Sequence, residues 1–161
     1  MEFRGTLYRS ISPKYARTPL SGAGASTYGG RFNAKGVPAL YTAMDLMTCL
    51  YEANQTGGIN PSTIVSFDAH FANLVDALTL PLTDQLILED PDWRQEMHDH
   101  GVSRTQMLAQ RLIDEGYHGM VVPSYEPRAM ATGGKNLVIW TWGSDLPHKI
   151  TLIDPENRLI F

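Results

Sequence analysis

The sequence holds a single cysteine, Cys49, among 161 residues. One thiol allows no intrachain disulfide, so nothing in the chain points to an oxidising compartment. Cys49 sits among apolar neighbours in a segment of helical spacing, with no histidine nearby. It reads as a buried structural thiol rather than a nucleophile. Long apolar runs are missing as well. No stretch approaches the roughly 20 residues of a membrane span, and Met1–Ser10 lacks the apolar core of a signal peptide. The expectation is a cytoplasmic protein with no membrane contact. Basic charge is scarce: 13 Lys and Arg stand against 17 Asp and Glu, a formal net charge of −4. No Lys/Arg cluster offsets this balance, so a surface for direct nucleic-acid binding is not expected. A local basic pocket for a diphosphate stays open.

Familiar catalytic signatures are absent too. The five histidines, His70, His98, His100, His118 and His148, form no H-x-x-x-H pair, and with one cysteine no metal site is expected. There is no G-x-S-x-G elbow and no phosphate-loop lysine. Gly22-Ala23-Gly24 is a lone glycine pair without the strand-helix-strand setting of a dinucleotide fold.

Against these absences stands an ordinary globular composition, 43% hydrophobic and 19% charged, of a length for one domain with one sizeable core. Phe3–Arg9 alternates as a strand, whereas residues 10–33 are rich in Gly, Ser and Pro and read as a long loop. Ala39–Thr42 is a short strand. A helix is expected from about Ala43 to Gln55, capped by Thr42 with Asp45, striped by Leu46, Leu50 and Ala53, and ended by Gly57-Gly58. Thr63–Phe67 is a further strand. Asp90-Pro91 should open one helix, with Trp93 and Met97 on one face, and Ser103 with Gln106 a second, burying Met107, Leu108, Leu112 and Ile113 and stopping at Gly116. Met120–Val122, Leu137–Trp142 and Ile150–Ile153 read as strands. Strands at both ends and helices between favour α+β, a single compact domain with a curved sheet flanked by helices.

The informative stretch is Tyr28-Gly29-Gly30-Arg31-Phe32-Asn33, continuing through Leu40-Tyr41-Thr42 to Tyr51-Glu52. Two glycines before an arginine let backbone approach a ligand while a guanidinium projects beside it, suited to a phosphate or diphosphate. Tyr41 ends a strand where a ring can stack on a planar heterocycle. Glu52 lies off the apolar stripe of its helix, near Thr48. Ser124 follows Pro123 at a strand end, and Asn136 precedes the next strand. Taken singly, each has an ordinary explanation: a surface arginine in a turn, a core tyrosine, a solvated glutamate, two turn residues.

Taken together they resemble the RES domain, named for an arginine, a glutamate and a serine. The match runs through Leu7-Tyr8-Arg9, Pro19-Leu20-Ser21-Gly22, Gly29-Gly30-Arg31-Phe32-Asn33, Leu40-Tyr41-Thr42 and Leu50-Tyr51-Glu52, then Val122-Pro123-Ser124 and Asn136-Leu137-Val138. Residues 68–115 carry no matching motif, and Phe32 stands where the family commonly has tryptophan. The resemblance implies one RES domain over residues 1–161 with a fold like that of ADP-ribosyltransferases. It also implies the toxin half of a toxin–antitoxin pair, whose partner is a helix-turn-helix antitoxin. On this resemblance NAD is a consumed substrate. Arg31 holds its diphosphate, Tyr41 lines the nicotinamide end, and Glu52 is the catalytic carboxylate. Arg9, Ser124 and Asn136 complete the pocket.

Two outcomes follow within such a family. One is transfer of ADP-ribose to a protein acceptor, with phosphoribosyl pyrophosphate synthetase an example. The other is destruction of NAD by water or phosphate. Transfer is the expectation here, because the chain's length resembles that branch more. A rival of another class is a non-catalytic module holding a nucleotide or peptide between Arg31 and Tyr41. The position of Glu52 separates them: an enzyme needs it on that same cleft.

Overall fold

A computed structural model describes residues 1–55 and 58–159. In chain order its elements are β1 (Phe3–Ile11), α1 (Ala23–Tyr28), β2 (Leu40–Ala43), α2 (Leu46–Ala53), β3 (Thr63–Phe71), β4 (Leu74–Asp76), α3 (Leu82–Glu89), α4 (Trp93–His100), α5 (Arg104–Asp114), β5 (Gly119–Pro123), α6 (Pro127–Ala131), β6 (Lys135–Ile139) and β7 (His148–Leu152). The strands form one curled sheet in the order β4-β5-β6-β2-β1-β3-β7, a half-barrel of the expected α+β class. Pairing is antiparallel except between β4 and β5.

Alternation along the strands gives each face its own core. Leu7, Leu40, Val65, Phe67, Phe71, Leu137, Ile139 and Ile150 pack together on one face of the sheet. Val75, Met120, Val122 and Val138 point the other way and pack with Leu88 of α3 and Leu108, Ala109 and Leu112 of α5. Adjacent residues such as Leu137 and Val138 therefore belong to different cores, as a period of two requires.

Several boundaries differ from those expected. The first strand runs on to Ile11, and the stretch read as loop contains a short 3-10 turn at Pro13–Tyr15 and α1. Helix α2 starts later than Ala43, because Thr42 is still strand: its hydroxyl donates to Leu137 O at 2.8 Å. Asp45 caps the helix instead, accepting from Thr48 N at 2.8 Å and Thr48 Oγ1 at 2.6 Å. The expected stripe is rotated as well: Leu46 is exposed, while Thr48 and Cys49 are buried. Of the glycine pair expected to end this helix, Gly57 lies outside the described residues.

Asp92, not Asp90, precedes α4; Asp90 Oδ1 accepts from Asp92 N at 2.8 Å. The Ser103–Gln106 capping box forms as expected, and Gly116 takes a positive φ of 95° beyond α5. Met107 of α5 is exposed. β6 stops at Ile139, since Trp140 N and Thr141 N both donate to His118 O. Elements β4, α3 and α6 carried no clear periodic signal.

His118 and His148 join the starts of β5 and β7 by an edge-to-face contact, ring centroids 4.9 Å apart. Both Nδ1 atoms are buried without a hydrogen-bond partner among the described residues. Burial, and then the neighbouring His148, push the His118 pKa below its ordinary value. Below about pH 6.5 the unfolded chain therefore binds a proton that the fold resists, so this contribution to stability is present above that pH and lost as the pH falls. His118→Phe should flatten the decline of melting temperature between pH 7.5 and 5.5. An unchanged slope would show that the pair does not govern acid stability.

Candidate active site

A cleft of about 590 Å³ opens on the sheet face that carries Val122 and Val138, a size typical of small-molecule sites. Alternation presents Tyr8 and Ser10 of β1, Tyr41 and Ala43 of β2, and Asn136 and Val138 of β6 to it. Helix α2 contributes Cys49, Glu52 and Ala53 from one face, since residues three and four apart lie together on a helix. Gly30, Arg31 and Phe32 form another wall with Trp93, Arg94 and Tyr125. Arg31, Tyr41 and Glu52 thus meet on one cleft, and Asn136 lines it with them. Ser124 lies behind this surface, buried, with its hydroxyl on Glu52.

The Glu52 carboxylate is gripped from several elements. Oε1 accepts from Ser124 Oγ and from Asn136 Nδ2, the latter at 2.8 Å, and Oε2 accepts from Gln55 Nε2 at 3.0 Å. Ser124 Oγ in turn accepts from Glu126 N at 3.2 Å. The other acid on the cleft, Glu126, caps α6 and binds Arg128 Nε at 2.7 Å, so its oxygens are occupied. Cys49, one turn before Glu52, is buried and its thiol is pushed up to about 11, chiefly by desolvation and then by Asp45 and Glu52. A protonated, enclosed thiol fits the structural reading.

The loop Gly30–Asn33 is held by side chains from three other places and by its own Asn33. Tyr41 Oη accepts from Phe32 N at 3.0 Å and donates to Asn33 Oδ1 at 2.5 Å. Asn33 Nδ2 donates to Ala25 O and Val37 O, both at 2.8 Å. Gln106 Nε2 donates to Gly30 O at 2.9 Å and Asn33 O at 3.1 Å, and Trp140 Nε1 donates to Phe32 O at 2.9 Å. Gly30 has to be glycine: a Cβ there would stand 2.5 Å from Tyr41 Oη and 2.6 Å from Asn33 Oδ1. The hydroxyl end of Tyr41 is enclosed, which raises its pKa by desolvation, while the ring stays open to the cleft. Gln106 and Trp140 escaped the sequence reading. Gln106 showed only as a helix cap, and its second task depends on a contact with the distant Gly30.

Arg31 is fixed at the other end of this loop. Its Nε and Nη2 donate to Leu88 O at 3.2 and 2.9 Å, and Nη2 also reaches Asp90 O at 3.1 Å. Leu88 lies in the last turn of α3, where unsatisfied carbonyls and the negative end of the helix dipole favour a cation. The guanidinium stacks over Tyr125, 4.5 Å from the ring centroid. Desolvation lowers its pKa, opposed by Tyr125 and Glu52. Arg9 borders the cleft but shares strand parity with Leu7 and Ile11, which belong to the core on the other face of the sheet. Its Nη1 donates to Pro19 O at 2.8 Å and Ser21 O at 3.2 Å, tying down the segment before α1.

Tyr41→Phe keeps the ring but strands the Phe32 amide and Asn33 Oδ1, so a loss of about 1–3 kcal/mol in unfolding free energy is expected. Denaturant unfolding measures it; a cost near zero would mean that water replaces the hydroxyl and that the latch is unimportant.

The same frame appears in known proteins. A family model described as RES domain matches residues 6–160. "Toxin Res" of Yersinia enterocolitica serotype O:8 / biotype 1B (strain NCTC 13174 / 8081) is 28% identical over 120 residues, 73% of this chain and 74% of that protein. Among solved structures, a chain of the M. tuberculosis MbcT–MbcA toxin–antitoxin complex has a similar fold. Its TM-score is 0.63 at 21% identity, over 96% of this chain and 84% of that one. With a match that spans nearly its whole length, this chain belongs to the RES domain family.

Proposed function

We propose that this chain is the toxin half of a toxin–antitoxin pair and consumes NAD⁺, breaking the nicotinamide–ribose bond and passing ADP-ribose to a protein acceptor. The observation that carries the reading is the Glu52 carboxylate, held by Ser124 and Asn136 on the cleft that Arg31 and Tyr41 share. A relative named as a toxin and a fold neighbour from a toxin–antitoxin complex support the biological role. The reading places the protein in the cytoplasm. Among the described residues, no helix is long and apolar enough to cross a membrane. Its antitoxin, in this reading, joins a helix-turn-helix part to a part that covers the cleft.

The chemistry asks for few groups. As the bond from C1′ to the pyridinium nitrogen breaks, its electron pair goes to nitrogen and nicotinamide leaves neutral, needing no acid. Positive charge grows on the ribose, and Glu52 stabilises it electrostatically, as carboxylates do in glycoside cleavage. Its three donors keep the carboxylate in one orientation, so little reorganisation accompanies the step. The open ring of Tyr41 offers a wall for the nicotinamide, and Arg31 a contact for the diphosphate. Arg9 keeps the rim in place through Pro19 and Ser21. The acceptor's heteroatom then bonds to C1′ and releases its proton. Water or phosphate in its place gives ADP-ribose or its phosphate.

Glu52→Gln removes the charge at constant volume, so turnover of NAD⁺ should fall by at least about 1,000-fold while ADP-ribose still binds. Release of nicotinamide measures the first and calorimetry the second. Near wild-type turnover in Glu52→Gln would end the catalytic assignment of Glu52, and no turnover by wild type would leave a binding module. Transfer is tested with adenylate-labelled NAD⁺ and a cell extract, with purified phosphoribosyl pyrophosphate synthetase alongside. One dominant labelled protein is expected. Nicotinamide release matched by free ADP-ribose or its phosphate, without labelled protein, would leave NAD⁺ destruction as the reaction.

A further inference from the structure

Arg31 alone makes a poor diphosphate clamp. Its Nε and Nη2 are taken up by the carbonyls of Leu88 and Asp90, and only Nη1 is without a hydrogen bond among the described residues. The two-pronged contact that makes arginine valuable on phosphates is therefore unavailable from this side chain. A second guanidinium, Arg94, lines the same cleft from the first turn of α4. It lies over the indole of its neighbour Trp93, 4.5 Å from the ring centroid, and Trp93 is buried. Among the described residues Arg94 has no hydrogen bond or ion pair. Two acids near it in the chain, Asp90 and Glu96, both bind Arg104.

The two arginines feel one another, since Arg94 is among the charges that depress ionisation of Arg31. Two like charges facing one space cost energy unless an anion enters between them. The cleft has Glu52 at one wall and the arginine pair at another. That pattern matches a dinucleotide whose nicotinamide ring is cationic and whose bridge carries two negative charges.

We propose that Arg94 is a second phosphate-binding residue of this cleft, closing with Arg31 Nη1 on the diphosphate of the substrate. This rests on the NAD-consuming reading above and adds a specificity to it: the site takes dinucleotides and ADP-ribose in preference to nucleosides that lack the phosphates. Arg94 lies in the part of the chain where no family motif was found.

The test separates binding from turnover. ADP-ribose and adenosine are titrated calorimetrically into wild type, Arg94→Gln and Arg94→Lys at several KCl concentrations. Arg94→Gln should weaken ADP-ribose binding about tenfold or more and flatten its salt dependence, leaving adenosine binding unchanged. Arg94→Lys should recover part of the loss, because charge rather than the stack on Trp93 is at issue. In NAD⁺ turnover, Arg94→Gln should raise KM by more than it lowers kcat. Arg94 is exposed and makes no hydrogen bond among the described residues, so melting temperatures should stay close to wild type. ADP-ribose affinity and salt slope unchanged in Arg94→Gln, or no binding of ADP-ribose to wild type, would overturn the proposal. If wild type binds ADP-ribose through Arg94 yet leaves NAD⁺ intact, the clamp stands and the catalytic reading falls. Turnover with an unchanged KM in Arg94→Gln gives the reverse.

Discussion

The site depends on a buried amide. Asn33 is enclosed and uses both ends of its side chain, taking the Tyr41 hydroxyl on Oδ1 and binding the carbonyls of Ala25 and Val37 through Nδ2. The Tyr41 hydroxyl that it fixes joins Gln106 and Trp140 in satisfying main-chain polar groups of a loop that belongs to no helix or strand. An irregular segment can be buried only when its amides and carbonyls find partners, at about 1–3 kcal/mol for each one left without. This loop finds them in side chains from β2, from α5 and from the segment beyond β6. Arg31 sits inside the loop, so its place in the cleft follows from bonds that it does not make itself.

That arrangement divides the work of the charged groups. Arg31 closes the carbonyl end of α3 and gives the cleft only part of its guanidinium. Glu126 caps α6, and Arg9 fastens the segment before α1. Glu52 differs from them. Its donors come from a residue just past β5, a residue on β6 and a residue just past its own helix, so no other element uses it as a cap or strut. A carboxylate held by its neighbours while facing an open cleft is arranged for charge that appears during a reaction.

Strands and caps were legible because they obey local rules. Phe3–Arg9 and Thr63–Phe67 alternate, and each proved longer than its clearest stretch. Ser103 and Gln106 announced a helix start and made it. Helix α3 was illegible for a physical reason: Leu82 and Leu86 face outward while Asp84 turns inward to Arg111, so its apolar spacing marks the wrong face. Helix α2 misled in the same way, with Leu46 outside and Thr48 inside. In the site, the order of Arg31, Tyr41 and Glu52 was visible, but their partners were not. That Tyr41 works through its hydroxyl as well as its ring, and that Arg31 spends its donors on Leu88 and Asp90, are facts of tertiary contact that no spacing encodes.

Gln106 shows how folding and the site are joined. Its Oε1 accepts from Ser103 N to complete the cap of α5, and its Nε2 holds Gly30 and Asn33. The rotamer that caps the helix is the one that aims the amide donors at the loop. Docking of α5 against Val122 and Val138 therefore brings the loop's anchor with it. Before that contact forms, the carbonyls of Gly30 and Asn33 lack these partners, and the latch on Tyr41 holds the segment from one side only. Arg31 gains a defined position only once both sides of the loop are bound. The cationic wall of the cleft is thus a product of tertiary assembly, whereas Glu52 is brought to it by a helix that carries its own cap at Asp45.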